Sequence, residues 1–314
     1  MSQPSLRKME RALQTRVIDM EEGQKIWLIY TREQTWVAKQ CRSAYHQEWW
    51  SQVDRELRHR GFVDMPTFIH AGDGLTLTTY INGETCRYRY RRESKLALEQ
   101  LARFHQAGRG CTTPSTRRTA FLLWERLGQR LKKFEKYLHQ YDRSTSKTDK
   151  WMRLAGYEMY QMGINAWNQL YTPTFYEMNE QSHLHHHLCH RDLASHNWMM
   201  EGDRAWLIDF DTASYDAQWG DLWQISTRIL TENHWDKALW IEMMECYEHH
   251  QPLSDWEKYF IKLMYGFPNE FFRESIGVLE KKPGYRLDYT GPYLERIIDD
   301  IERWREFLSQ LRYW

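Results

Sequence analysis

Apolar and polar residues alternate in two pairs of short segments within the first 80 residues. Residues 26–30 (IWLIY) and 35–39 (TWVAK) are rich in β-branched and aromatic side chains, and the polar turn TREQ separates them, a pattern typical of a strand hairpin. A second pair, FIHAG and LTLTTYI, flanks the sequence Gly72-Asp73-Gly74. An Asp-Gly pair in this setting predicts a tight hairpin turn, so we expect four antiparallel strands.

Between the two hairpins the apolar spacing becomes that of a helix. Residues 43–60 are mostly polar, and Gly61 follows them as a helix stop. Apolar residues recur along one face of this segment: Trp49, Trp50, Val53 and Leu57. The predicted order is strand, strand, helix, strand, strand.

From Glu93 onward the periodicity is helical over most of the chain. Residues 93–108, 121–138 and 151–171 carry helical patterns, and the polar linker YDRSTSKTDK lies between the last two. Two strand-like segments follow, HHHLCHRDL and AWLIDFDTA. The remainder is helical again and broken by four prolines: Pro252, Pro268, Pro283 and Pro292.

This order predicts an α+β fold with two lobes. Residues 1–83 would form a small antiparallel sheet lobe with one helix, and residues 84–314 a mostly helical lobe. A length of 314 residues exceeds that of an average single domain. Because 15% of the residues are aromatic and 27% are charged, the composition is that of a folded globular protein.

Charge and hydropathy exclude several classes of protein. Lys plus Arg and Asp plus Glu both number 43, so net charge points neither to nucleic acid nor to an anionic membrane. No segment approaches the roughly 18 apolar residues of a membrane span. The start, MSQPSLRKMERALQ, lacks the apolar core of a signal peptide, and we expect a cytoplasmic protein. The five cysteines are scattered and predict ordinary thiols: Cys41, Cys86, Cys111, Cys189 and Cys246.

The most informative motif is residues 190–197, HRDLASHN, which fits the kinase catalytic-loop pattern H-R-D-x-x-x-x-N. In that pattern a carboxylate accepts the proton of the attacking hydroxyl, and an amide oxygen about one turn later helps to hold Mg²⁺ on the phosphates. Asp192 is therefore the candidate base. Asn197 is the candidate metal ligand.

Further candidates occur in the order in which the motifs of kinases follow one another along the chain. Asp209 follows an apolar segment twelve residues after Asn197, and Asp211 comes two residues later; both are candidate Mg²⁺ ligands. Lys39 ends the segment VAK, which matches three letters of V-A-I-K and predicts a lysine that reaches the α- and β-phosphates of ATP.

The partner of Lys39 is open between two glutamates of the predicted helix. Glu48 and Glu56 are both candidates for the lysine–glutamate ion pair of kinases. We favour Glu48, which lies near the start of the helix. The alternative is that Glu48 belongs to a solvated helix face.

These motifs resemble the aminoglycoside phosphotransferase and choline kinase superfamily. LARFH, INGE and Asp221-Leu222 resemble its L-A-x-L-H, I-x-G-E and D-L motifs, and CHRDLASHN, IDFDTASYD, QPLS and GFPNEFF resemble those of its CotS-type spore coat kinase-like proteins. The resemblance implies a two-lobed protein-kinase-like fold that binds ATP and Mg²⁺. It also implies that His190 is a catalytic-loop residue that braces the loop.

Two features depart from protein kinases. Residues 10–30 contain a single glycine, Gly23. Protein kinases have a glycine-rich loop there, which brings backbone N–H groups close to the phosphates, so we expect weaker phosphate binding. Only eleven residues separate Asp209 from Asp221. That span has no room for a long regulated activation segment, which favours a constitutively assembled enzyme.

The acceptor is predicted only in outline. The resemblance places its binding residues in the helical insert, residues 109–181. Residues 109–153 hold twelve Lys or Arg against four Asp or Glu, which favours an anionic or sugar-like hydroxyl acceptor over a polycation. A solvated basic helix face is the alternative.

We therefore expect an ATP-dependent phosphotransferase, located in the mother-cell cytoplasm and assembled with spore coat proteins. Two alternatives stay open: a catalytically weak or inactive kinase-fold protein that is structural in the spore coat, and an unregulated protein kinase acting on coat proteins.

Overall fold

A computed structural model of the chain describes residues 3–23, 25–40, 43–72, 74–115, 121–141 and 150–311. Cys41, Asp73 and most of the predicted polar linker therefore lie outside the described residues. The four other cysteines are free thiols. No helix in the described ranges is long and apolar enough to cross a membrane.

The N-terminal part is an antiparallel sheet with the strand order β1-β2-β3-β5-β4. Both predicted hairpins are confirmed: β2 pairs with β3, and β4 pairs with β5. Gly72 and Gly74 have φ angles of +78° and +72°, which glycine adopts most readily. The strands are β1 Val17–Glu22, β2 Ile26–Thr31, β3 Thr35–Gln40, β4 Phe68–His70 and β5 Leu75–Thr79.

Two elements near the N-terminus were not predicted, and the expectation of one helix in this lobe was wrong. Helix α1, Leu6–Leu13, precedes the sheet, and β1 pairs with β2 at the sheet edge. Of the six residues of β1, only Val17 is buried. An edge strand with one buried residue has no clear alternation of apolar and polar positions, which explains why the pattern did not show it.

Helix α2, Ala44–His59, matches the predicted helix, and the Ser43 hydroxyl caps it by accepting the His46 N–H. Gly61 follows with φ +87°. The apolar face of α2 packs into the large core of the helical lobe and not into the core of the sheet. The sheet core has eight buried residues: Met9, Val17, Trp27, Ile29, Trp36, Ala38, Leu75 and Leu77.

The C-terminal part is mostly helical, as predicted. The helices are α3 Arg91–Ala107, α4 Leu123–Tyr141, α5 Tyr157–Leu170, α6 Pro173–Leu184, α7 Gln218–Glu232, α8 Lys237–Glu248, α9 Asp255–Met264, α10 Asn269–Leu279, α11 Leu287–Asp299 and α12 Ile301–Gln310. A π-helical turn, Met152–Gly156, leads into α5. Pro292 lies inside α11, so the predicted break there was wrong; the missing N–H removes one backbone hydrogen bond and the helix continues.

Two small sheets hold the loops that carry the motifs. Strand β7, Leu188–Cys189, pairs with β10, Ser214–Tyr215, while β8, Trp198–Glu201, lies between β6, Glu84–Thr85, and β9, Arg204–Leu207. Residues 190–197 therefore connect β7 to β8, and residues 208–213 connect β9 to β10. We call them the catalytic loop and the metal loop.

Candidate functional site

The catalytic loop exposes one carboxylate and buries the residues around it. The Asp192 side chain is 42% exposed, whereas His190 and Asn197 are buried. Arg191 has φ +71° and Asp209 in the metal loop has φ +63°. Non-glycine residues with positive φ cluster at functional sites, and here one stands in each loop.

His190 joins the two loops. Its Nδ1 accepts the Asp192 N–H at 3.3 Å, and its Nε2 lies 2.9 Å from the carbonyl oxygen of Ile208. These partners assign the proton to Nε2. Because the ring is fully buried, it cannot touch a substrate. This geometry suits a residue that positions the loop, which is the bracing role implied by the resemblance, and a direct catalytic role of His190 stays a prediction.

Asn197 is fixed by the same loop. Its side-chain Nδ2 donates to the Asp192 backbone carbonyl oxygen at 2.8 Å, and the backbone carbonyl oxygen of Asn197 accepts the Ile208 N–H at 3.0 Å. With its nitrogen engaged, the amide has its oxygen available as the metal-binding atom. The predicted ligand role of Asn197 stays a prediction.

The buried carboxylate of Asp221 anchors the start of the catalytic loop. Its carboxylate accepts the backbone N–H groups of His190 at 2.6 Å and Arg191 at 3.0 Å, and it lies 3.4 Å from His105 Nε2. Burial opposes ionisation, but the hydrogen bond with His105 and the backbone N–H of His190 hold the pKa of Asp221 below its ordinary value. The sequence marked Asp221 only as part of a motif.

Asp216 is a buried acid beside the catalytic loop that sequence reasoning did not single out. The fully buried carboxylate accepts the Leu123 N–H at 3.0 Å, pairs with Arg126 at 2.9 Å and lies 3.6 Å from Arg191 Nε. Burial lowers the pKa of Arg191 to about 10. Asp216 thus ties the start of α4 to the catalytic loop. The acid in IDFDTASYD was its only sequence signal.

Lys39 meets the metal loop directly. Its Nζ lies 2.7 Å from Asp209 Oδ1 and 2.7 Å from Asp211 Oδ2. Burial opposes both charges, yet the ion pair raises the pKa of Lys39 and lowers that of Asp209. The structure therefore brings Lys39 together with two aspartates that lie about 170 positions later in the sequence.

In the structure Lys39 pairs with neither of the two glutamates predicted as its partner. Glu48 is exposed on α2, and Lys39 pairs instead with the two aspartates of the metal loop. The carboxylate of Glu56 accepts the N–H and hydroxyl of both Thr112 and Thr113 at 2.6–3.0 Å. Glu56 therefore fastens α2 to the segment after α3, and Glu48 as a nucleotide-binding residue stays a prediction.

The other end of α2 rests on the metal loop. His46 Nε2 lies 3.0 Å from the Ala213 carbonyl oxygen, and Trp50 stacks on Phe210 with ring centroids 4.2 Å apart. Phe210 stands between Asp209 and Asp211 in the chain. Helix α2 therefore fixes the backbone that carries both aspartates.

The donor set suits a hard divalent cation. Asp209 and Asp211 direct one carboxylate oxygen each at a single point that the Lys39 ammonium occupies, so the loop is built to hold positive charge. Carboxylate and amide oxygens are the ligands that Mg²⁺ prefers. The residues present therefore fit Mg²⁺.

A cleft of about 700 Å³ opens beside Asp192. Its described lining comes from the catalytic loop, Tyr88, α7, α10, and the segment from Gly284 into α11. The insert between residues 109 and 181, which the resemblance assigned to acceptor binding, supplies no lining residue among those described. Helices α10 and α11 line the cleft instead, and α4 of the insert packs against α10.

Comparisons with known proteins show the family and the fold of the chain. The model of the phosphotransferase enzyme family matches residues 15–259. The crystal structure of an aminoglycoside phosphotransferase from Alicyclobacillus acidocaldarius superposes with a TM-score of 0.79 at 16% identity, over 95% of this chain and 92% of that one.

Two other solved structures share the fold. The AMP complex of a spectinomycin phosphotransferase has a TM-score of 0.67 at 13% identity, covering 96% of both chains. A choline kinase from Streptococcus pneumoniae has a TM-score of 0.55 at 16% identity, covering 96% of this chain and 97% of that one. The predicted two-lobed kinase-like α+β fold is confirmed.

Proposed function

The chain belongs to the phosphotransferase enzyme family, and from that premise we propose that it transfers the γ-phosphoryl group of ATP to a hydroxyl of an acceptor. The observation that carries the proposal is the meeting of Lys39 with Asp209 and Asp211 at 2.7 Å, on the loop that His190 joins to Asp192. Phosphoryl transfer needs this combination of a phosphate-binding cation, metal-binding acids and a base.

Asp192 is the proposed base. It is the exposed carboxylate of the catalytic loop, and its backbone is held by His190 and Asn197. It would accept the hydroxyl proton while the acceptor oxygen attacks the γ-phosphorus and ADP leaves. Because the chemistry asks little more than position and charge neutralisation, the rigid loop supplies most of what the reaction needs.

Lys39 would contact the α- and β-phosphates, and Asn197, Asp209 and Asp211 would hold Mg²⁺. The bound metal ion supplies charge neutralisation of the phosphates. In the structure Lys39 neutralises the two aspartates, whose like charges would otherwise repel each other.

The narrower assignment to the CotS type rests on the sequence strings alone. We propose with it a mother-cell cytoplasmic location and association with spore coat proteins. The exposed Asp192 and the assembled metal loop favour an active enzyme over the structural alternative.

Melting temperature measured with ATP and Mg²⁺ tests the nucleotide site. We expect an upward shift in wild type that Asp209→Ala abolishes. Asp203→Ala, which removes another exposed acid on the turn between β8 and β9, is the matched control and keeps the shift. If wild type does not respond at millimolar ATP, the chain is a structural member of the fold and the proposal fails.

Turnover tests the base separately. Asp192→Asn should keep the nucleotide-dependent melting shift while phosphotransfer, followed as ADP release, falls by about 10²–10⁴-fold. Equal rates for wild type and Asp192→Asn would exclude Asp192 as the base. Phosphate incorporation into an extract of coat proteins, present with wild type and absent with Asp192→Asn, would identify a protein acceptor instead.

A further inference from the structure

The floor of the cleft beside Asp192 is a chain of alternating charges. Arg228 Nε on α7 donates to Glu270 Oε2 at 3.1 Å, Arg273 Nη2 lies 2.7 Å from the same oxygen, and Arg273 Nη2 also bonds Glu274 Oε1 at 2.5 Å. Arg228 and Glu270 have side chains only 5% and 4% exposed. Two guanidinium groups therefore face two carboxylates, and a third guanidinium, that of Arg130 on α4, bonds the neighbouring Asn269 side chain.

The other charges around the cleft do not change this balance. Glu232 pairs with Arg296 at 2.5 Å. Asp192 Oδ1 lies 3.8 Å from Arg228 Nη1, beyond hydrogen-bond distance. Among the described lining residues, the proposed base is thus the one charge without a close partner. Its negative charge is matched by the nearby Arg130, so the floor offers no surplus charge to a polycation or to a polyanion.

Two buried donors on this floor lack a hydrogen-bond partner. Arg228 Nη1 and Arg273 Nε are both inaccessible and make no hydrogen bond among the described residues. A buried unsatisfied donor costs about 1–3 kcal/mol. This cost belongs to the charged floor itself, because a ligand in the cleft cannot reach atoms that have no accessible surface.

Tyrosines form the remaining walls. Tyr285, Tyr289 and Tyr293 line the cleft on and just before α11, and Tyr88 lines it near the catalytic loop. Tyr289 is 73% exposed. Tyrosine offers an apolar ring face and a polar hydroxyl, which matches a molecule whose C–H faces alternate with hydroxyl groups. A volume of about 700 Å³ lies within the range of small-molecule sites.

We propose that the acceptor is a neutral, hydroxyl-rich molecule of the carbohydrate class, bound in this cleft with one hydroxyl at Asp192. The proposal rests on the phosphotransfer proposed above. The transferred hydroxyl loses its proton to the Asp192 carboxylate, its oxygen forms the new bond to the γ-phosphorus, and the bond between that phosphorus and the β,γ-bridging oxygen breaks to release ADP.

The test uses three ligands with one ring and different charge: D-glucose, D-glucosamine and D-glucose 6-phosphate. Their dissociation constants are measured by calorimetry on the full chain with Mg²⁺ and a non-hydrolysable ATP analogue, and ADP release is followed with ATP. We expect glucose to bind at least about tenfold tighter than either charged ligand and to be the ligand that stimulates ADP release.

Two variants locate the binding. Tyr289→Ala should weaken glucose binding about 2- to 10-fold, the range of a lost aromatic contact, while Tyr157→Ala, an equally exposed tyrosine outside the cleft, should not change it. Glu270→Gln frees the two arginines from one carboxylate and should shift the preference toward glucose 6-phosphate. Tyr289→Ala keeps the test decisive if Glu270→Gln does not fold, because Tyr289 is at the surface.

The outcomes separate the two proposals. Tighter binding of glucosamine or of the phosphate to wild type would overturn the neutral acceptor, and so would no binding of any of the three while the ATP analogue still raises the melting temperature. No response to the nucleotide itself would instead overturn the proposed phosphotransfer.

Discussion

The sheet and the helical part of this protein are built on cores of very different size. The sheet closes on eight buried apolar residues, whereas the larger core runs from α2 to α12. Helix α2 lies between β3 and β4 in the chain but packs with the larger core. The predicted boundary near residue 83 therefore describes the order of the chain, while packing leaves the sheet and α1 as the smaller unit.

The site residues are divided between the two cores. Asp192, Asn197 and the metal loop stand on the large core, and α2 fixes the metal loop through Trp50. Lys39 reaches them from the small core through ion pairs whose side chains are 33–41% exposed. Because local stability follows buried contacts, we expect the sheet to open before the catalytic loop does.

The strongest test of the large core is Asp221→Asn. Replacing one carboxylate oxygen by an NH₂ group sets donors against the N–H groups of His190 and Arg191 in a buried site. We expect the free energy of unfolding, measured in urea, to fall by about 3–5 kcal/mol. Phosphotransfer by the folded fraction should also fall, because the catalytic loop loses its anchor.

Asp299→Asn is the matched control for Asp221, since Asp299 is exposed at the end of α11. Its free energy of unfolding should stay within about 0.5 kcal/mol of wild type. Equal effects of the two substitutions would show that the hydrogen bonds from His190 and Arg191 to Asp221 do not stabilise the catalytic loop.

A smaller loss is expected from Glu56→Gln, which weakens the link between α2 and Thr112–Thr113. The amide can accept only part of the four hydrogen bonds that the carboxylate accepts, and we expect a loss of about 2 kcal/mol. Glu48→Gln, on the exposed face of the same helix, should change stability little. If Glu48→Gln lowers ATP affinity and Glu56→Gln has no effect, Glu48 is the nucleotide-side residue that the sequence favoured.

The smallest effect is expected at the ion pair that joins the two parts. The pKa of Asp209 is lowered from 3.8 and that of Lys39 is raised from 10.5. The contribution of Asp209 is present above about pH 4 and is lost as the pH falls through its lowered pKa; that of Lys39 is lost above about pH 10.5. For exposed groups we expect about 1 kcal/mol or less between these limits.

Lys39→Met isolates this contribution. The difference in free energy of unfolding between wild type and Lys39→Met, measured from pH 3 to pH 7, should shrink toward the acid end. A difference that grows on acidification would mean that Lys39 does not stabilise the Asp209 carboxylate.

Short motifs predicted most of the candidate site residues. Asp192 and Asn197 lie in one loop of eight residues, and Asp209 follows a single apolar strand, so local spacing was enough to find them. The two hairpins and α2 were predicted for the same reason, because periodicity and glycine turns are local properties. Edge strand β1 was not predicted because only one of its residues is buried, which leaves almost no alternation of apolar and polar positions.

The sequence by itself determined which residue types are available for phosphoryl transfer and the order of most elements. Only the tertiary structure decided which of several equivalent acids meets which cation. The sequence offered Glu48 and Glu56 as partners of Lys39. Packing of the sheet against the metal loop placed Lys39 beside Asp209 and Asp211 instead, and Glu56 bonds Thr112 and Thr113. The same holds for the cleft of Arg228, Glu270 and Tyr289, because residues far apart in the chain become neighbours only when the helices pack.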